Sequence, residues 1–199
     1  DSPKYGAPAV DKAGNVYGVT AGGGANNYGV VYTIGADGTY TVLHAFTGTD
    51  GAYPYGGVLY DKGSNTLFGT TEKGGASGAS CAGLGCGVVD ALATDGTTYI
   101  VLHYFTGSGA GDGDNSHAAP IRDKAGNLYG TASGGGPAIY GTVWKLARNG
   151  VFSILHGFGH SNDGTYVNAP LFIDKNGNLF GTTTNGGGPH VDGTVFKIG

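Results

Sequence analysis

Asp123-Lys124-Ala125-Gly126-Asn127-Leu128-Tyr129-Gly130-Thr131 is the stretch on which the fold turns. A short strand-like run, Ile121-Arg122, precedes it, Asp-Lys opens a turn carrying Gly and Asn, and an apolar run ending in aromatic-Gly leaves it. The same sentence recurs from Asp11-Lys12, Asp61-Lys62 and Asp174-Lys175. The spacings are 61−11 = 50, 123−61 = 62 and 174−123 = 51 residues. A period near fifty marks a repeat architecture, in which each copy is one supersecondary unit.

Working outward, each copy resolves into four short β runs. The first is Ala9-Val10, Val58-Leu59-Tyr60, Ile121-Arg122 or Leu171-Phe172-Ile173. Gly and Asn in the following turn tolerate the positive φ of a tight hairpin. The second runs are 16–20, 67–71, 128–132 and 179–183, followed by glycine clusters. The third open at Gly29, Gly87, Gly141 and Gly193 and carry Tyr32, Trp144 or Phe196 at the fourth place, with Asp90 the exception. Asp-Gly or Asn-Gly then turns the chain into a fourth run containing His44, His103 or His156, with Phe46, Phe105 or Phe158 two residues on. No stretch shows a helical period.

Four antiparallel strands per repeat describe an all-β chain and a β-propeller blade, because one such sheet covers its faces only by stacking on neighbours. The expected blades span approximately 7–48, 56–107, 119–159 and 169–199 within a single repeat domain, 1–199. The last copy ends after its third run, leaving either Ser2 to Tyr5 or another chain to pair with its edge. The alternative is a β-solenoid, whose coils are usually shorter than fifty residues.

Composition narrows the function classes. Charged residues are 12%, net charge is −4, and no basic run supplies the footprint of a nucleic-acid groove. No segment approaches eighteen consecutive apolar residues, so a membrane span is not expected. The absence of Met and the start at Asp1 are read as a processed product that has lost a signal peptide. Cys81 and Cys86 sit five apart in a small-residue loop and are expected to form a disulfide in an oxidising compartment. The resulting expectation is a secreted, extracellular or cell-surface protein.

Gly126-Asn127-Leu128-Tyr129-Gly130-Thr131, Gly134-Gly135, Gly141-Thr142-Val143-Trp144-Lys145-Leu146 and Leu155-His156-Gly157-Phe158 resemble the tandem GloVer repeats of bacterial surface and secreted proteins. The resemblance covers nearly the whole chain. More distantly, the first three strands are similar to blades of NHL-type propellers. It implies an extracellular propeller attached to, or released from, a cell surface, and carries over no catalytic residues.

Candidate chemistry lies in what varies between copies. The loops 47–57, 106–119 and 159–169 are expected at one end of the axis, where a rigid scaffold presents binding residues. They hold Tyr53, Tyr55, His117, His160 and Tyr166, aromatic rings among short polar groups of the kind a sugar face needs; the bland reading is solvated turns with tyrosines covering the core. Arg122 stands where Val10, Tyr60 and Ile173 stand in other copies. It is read either as a carboxylate or sulfate grip in the central channel or as the partner of a nearby Asp. Asp112 and Asp114 are candidates for a Ca²⁺ loop that lacks the distal Glu of an EF-hand; no other cofactor is expected. Glu72 and Asp90 are candidates for glycoside hydrolysis and His117 for a base, assembled from residue types and matching no catalytic motif. The strand histidines are read as structural, donating to neighbouring backbone. The overall expectation is a binding module for a glycan or cell-surface polymer. Self-association through the open edge of the last blade and a carbohydrate-active hydrolase or lyase are the alternatives.

Overall fold

The structure is a computed structural model that describes residues 6–75, 81, 83–109, 111–159, 163–187 and 192–199. Four antiparallel sheets follow one another along the chain, each ordered as its strands occur. The first contains β1 (Ala9–Val10), β2 (Val16–Thr20), β3 (Val30–Ile34) and β4 (Tyr40–Ala45). The second contains β5 (Val58–Asp61), β6 (Thr66–Thr70), β7 (Val88–Ala93) and β8 (Tyr99–Tyr104). The third contains β9 (Ile121–Arg122), β10 (Leu128–Ala132), β11 (Thr142–Leu146) and β12 (Phe152–Gly157). The fourth has three strands among the described residues, β13 (Phe172–Ile173), β14 (Leu179–Thr182) and β15 (Val195–Ile198). These sheets are propeller blades, and a solenoid is not formed. Ser2 to Tyr5 lie outside the described residues.

Side-chain chemistry closes each first hairpin. Asp11 Oδ1 accepts from the amides of Ala13 and Asn15, both at 2.9 Å, and its Oδ2 accepts from Asn15 Nδ2 and the Tyr17 hydroxyl. Asp123 and Asp174 hold their turns the same way through Asn127 and Asn178. The Asn carbonyl oxygen then accepts from Ala36 N in the first blade and Arg148 N in the third, tying the first turn to the second. Asp-turn chemistry therefore sets both register and blade width.

Each second strand has a glycine opposite the key residue of the third: Gly18 faces Tyr32, Gly130 faces Trp144 and Gly181 faces Phe196. A Cβ on Gly18 would stand 2.6 Å from the Tyr32 oxygen, and one on Gly130 would strike the Trp144 ring. The ring lies over the glycine, so the two positions are one packing unit. In the second blade Gly69 faces Asp90 instead.

Three apolar cores lie between consecutive blades. Tyr17, Val19 and Val31 of the first meet Val58, Leu67 and Leu92 of the second. Val89 and Phe105 meet Leu128, Trp144 and Leu146. Val143 and Phe158 meet Leu171 and Leu179. Among the described residues no fourth core joins the last blade to the first.

The strand histidines are structural, but their partners differ from the backbone groups expected. His44 Nε2 lies 3.1 Å from Asp50, His103 Nε2 2.6 Å from Asp112, and His156 Nε2 3.0 Å from Asp163. A carboxylate wins over a backbone carbonyl because a charged acceptor makes the stronger bond. His44 also stacks on Tyr99 at 3.8 Å and His103 on Phe152 at 3.7 Å, so each imidazole links its loop to the following blade.

Candidate functional site

The loops that leave the fourth strands do more than cross between sheets. Ala52 pairs with Lys73, Asp114 with Gly134 and Thr165 with Asn185, so each loop adds a backbone bridge to the next blade. Tyr53, Asn115 and Tyr166, each three residues after the histidine-bound Asp, take φ of 58°, 54° and 61°. This left-handed turn is uncommon outside Gly and Asn. It turns the chain at the same point in all three loops.

Two residues after each of these turns come Tyr55, His117 and Asn168. They are equivalent: 61−55, 123−117 and 174−168 each equal 6. They also touch in succession. The Tyr55 ring meets the His117 ring edge-on at 5.6 Å, and His117 Nδ1 lies 2.9 Å from Asn168 Oδ1. Asn168 Nδ2 donates to Thr184 Oγ1 at 3.0 Å, which fixes its carbonyl oxygen toward His117.

Two charged side chains at the end of the second blade's inner hairpin complete the cluster. Glu72 Oε2 lies 3.5 Å from His117 Nε2. Lys73 Nζ donates to Asn115 Oδ1 at 2.6 Å, and Asn115 Nδ2 donates to Asp114 Oδ1 at 2.7 Å. Burial alone pushes the His117 imidazole down, but its bonds to Glu72 and Asn168 and the Glu72 charge leave it above its usual value. Burial likewise pushes Glu72 up, yet His117, helped by Lys73 and Tyr55, holds it below the usual carboxylate range. Asp114 is raised, mainly by burial and then by Glu72, with Lys73 opposing. The result is a half-buried patch that offers donors, acceptors and a tyrosine face from four blades.

Tyr55 and His117 thus meet at the centre. Tyr53 and Tyr166 stand at the flanks, each edge-on to a tyrosine of the preceding blade, Tyr28 and Tyr140. His160 lies outside the described residues. Arg122 is at the opposite end of the blades, where it pairs with Asp61 at 2.5 Å; that is the partner-Asp reading. Asp112 spends its oxygens on His103, Thr106 N and Thr106 Oγ1, and Asp114 belongs to the Lys73–Asn115 network. Among the described residues no three His, Cys, Asp or Glu side chains converge as metal ligands. Glu72 and Asp90 are not a carboxylate pair: Asp90 lies between the first two blades, where the charge acting on it is Asp50. Cys81 and Cys86 are joined in a disulfide. Lys73, Asn115, Asn168 and Thr184 escape a reading of single loops; the equal distance of Tyr55, His117 and Asn168 from the repeat Asp is the signal that finds one of them.

Residues 4–199 match the family model of the Gloeobacter/Verrucomicrobia repeat. No curated protein sequence matches. Among solved structures, a chain of a nidogen–laminin complex is similar at a TM-score of 0.60 and 19% identity, over 87% of this chain and 54% of that one. TolB from Acinetobacter baumannii is similar at 0.56 and 13% identity, over 92% and 37%. A chain described as a putative gluconolactonase is similar at 0.50 and 13% identity, over 85% and 56%. These are β-propellers, and this chain spans about half or less of each. At such identities they establish the fold alone.

Proposed function

The chain belongs to the Gloeobacter/Verrucomicrobia repeat family, and we propose that it is an extracellular β-propeller module that binds a glycan at the loop end of its blades. One observation carries this reading: Tyr55, His117 and Asn168, equivalent in the repeat, differ in chemistry and lie in contact around one point. A repeat position needed only for scaffold would hold similar side chains, as the buried Val31, Val89 and Val143 do. A tyrosine face beside amide, imidazole and carboxylate groups matches a sugar ring, whose CH groups stack while its hydroxyls bond. The disulfide supports an oxidising, extracellular setting.

Glycan-array screening followed by calorimetry tests the assignment. A glycan ligand is expected to lose roughly two- to tenfold in affinity with Tyr55→Ala, an aromatic contact being worth ~0.5–1.5 kcal/mol. Thermal unfolding of the variant is expected to change little. Failure of every glycan to bind at millimolar concentration, or unaltered affinity in Tyr55→Ala, overturns the assignment. A second reading, self-assembly through the last blade, is favoured by the exposure of Phe172 at 66% and Val195 at 81%.

A further inference from the structure

The chain has two arginines, Arg122 and Arg148. Both occupy repeat positions that are otherwise uncharged: Val10, Tyr60 and Ile173 match the first, and Ala36 and Thr94 match the second. Far apart in sequence, they line one cavity of about 170 Å³ between the second and third blades, at the end opposite the loop cluster. Gly126 sits beneath both. A Cβ there would stand 3.0 Å from Arg122 Nη2 and 3.2 Å from Arg148 Cδ. This glycine, already at φ +92°, leaves the room in which the two side chains come together.

Their charges are unequally answered. Asp61 engages Arg122 Nη1 from outside the cavity, while Arg122 Nε is buried with no acceptor. Among the described residues Arg148 has no ion-pair partner, and no carboxylate lines the cavity. Both guanidiniums stay charged at any physiological pH. Asp61 and Asp123 line the adjoining outer groove that the two arginines share and not the cavity, so the cavity side of the two cations leaves a place for an anion. The rest of the wall is apolar: Phe68, Leu102, Leu128 and Leu146. Arg122 itself lies 5.6 Å over the Phe68 ring, which holds its plane in position.

We propose that this cavity binds a small monocarboxylate with a short apolar body. The carboxylate lies between Arg148 and the Nη2 edge of Arg122, and its branched or cyclic carbon part rests on Phe68 and the leucines. Size agrees with this class: an apolar cavity of ~150 Å³ accepts a molecule as large as benzene. Drug-sized ligands need roughly 300–1,000 Å³. A fully hydrated inorganic anion would gain nothing from the leucine wall, whereas a branched-chain or aromatic acid buries its carbons there.

Calorimetry with 3-methylbutanoate, its neutral amide and sulfate tests the assignment on the whole protein. The acid is expected to bind at millimolar concentration. The amide is expected to bind roughly 10–100-fold more weakly, as loss of a charge-assisted bond implies. Arg148→Ala alters an exposed turn residue and is expected to lower the acid's affinity by the same factor with unchanged circular dichroism and unchanged glycan binding. Equal affinity for acid and amide, sulfate binding as tightly as the acid, or full affinity in Arg148→Ala each overturns the proposal.

Discussion

Asp90 shows how one side chain can set the pH response of a blade interface. It occupies the place of Tyr32, Trp144 and Phe196 and is 3% exposed. Burial, then the nearby Asp50 charge, pushes its carboxyl up to about 7. The unfolded chain releases this proton near the ordinary aspartate value of 3.8, so between that pH and 7 the native state binds the extra proton. Stability therefore falls as pH rises through this window and levels off above it. Asp90→Asn removes the ionisation and is expected to stabilise the protein at pH 8 by on the order of 2–4 kcal/mol, with little change at pH 4. Urea titrations at the two pH values check this; parallel losses or gains at both would exclude the ionisation as the cause. The exception was plain in the sequence. Its consequence was not, since only the packing of the first blade against the second places Asp50 near it and removes water from Asp90.

At the scale of the element, the blade is a set of reciprocal pairs: Asp with the Asn of its turn, His with the Asp of the next loop, and glycine with the ring opposite. The glycine–ring pair makes a sharp test. Trp144 is fully buried against Phe105 and Phe152 and lies directly over Gly130. Gly130→Ala leaves the ring no unoccupied direction in which to move and is expected to destabilise by ~1–3 kcal/mol, the usual cost of overpacking. Gly150→Ala is the comparison, since a Cβ there meets nothing within 4 Å; its cost comes from φ of +87° alone. Chemical denaturation of both separates steric from backbone effects, and an unperturbed Trp144 fluorescence spectrum in Gly130→Ala would show that the ring does not depend on the glycine. Strand order, hairpin turns and the Asp–Asn pairs were legible because they are local and recur. The His–Asp pairs were missed because their partners lie in loops of unequal length: 50−44 = 6, 112−103 = 9 and 163−156 = 7 residues away. The Arg122–Arg148 pair was missed because it joins two turns of one blade that no local pattern connects.

For the whole molecule, the decisive comparison is between one repeat position and its copies. Val31, Val89 and Val143 face the following blade and are 2%, 0% and 0% exposed, while Val195, in the same register opposite the second strand, is 81% exposed. Phe172, on the first strand of the same sheet, is 66% exposed, and at the other end of the array Tyr40 and Val42 are 55% and 46% exposed. Val195 lies on the edge strand of a three-stranded sheet, and its face also lacks the neighbouring sheet that covers the other three valines. The two end faces are the two halves of an interface already made three times within the chain, and they are complementary rather than identical. Contacts of this head-to-tail kind close into rings or propagate as filaments. The protein is therefore expected to associate as its concentration rises, burying Val195 and Phe172 against the first-blade face of another copy. Val195→Asp places an unpaired charge in that contact and is expected to hold the protein monomeric with unchanged thermal stability, because in the isolated chain the side chain lies in water. Light scattering across a hundredfold concentration range decides the matter: a wild-type mass constant at one chain, or association that Val195→Asp leaves intact, would mean that the exposed end faces do not meet.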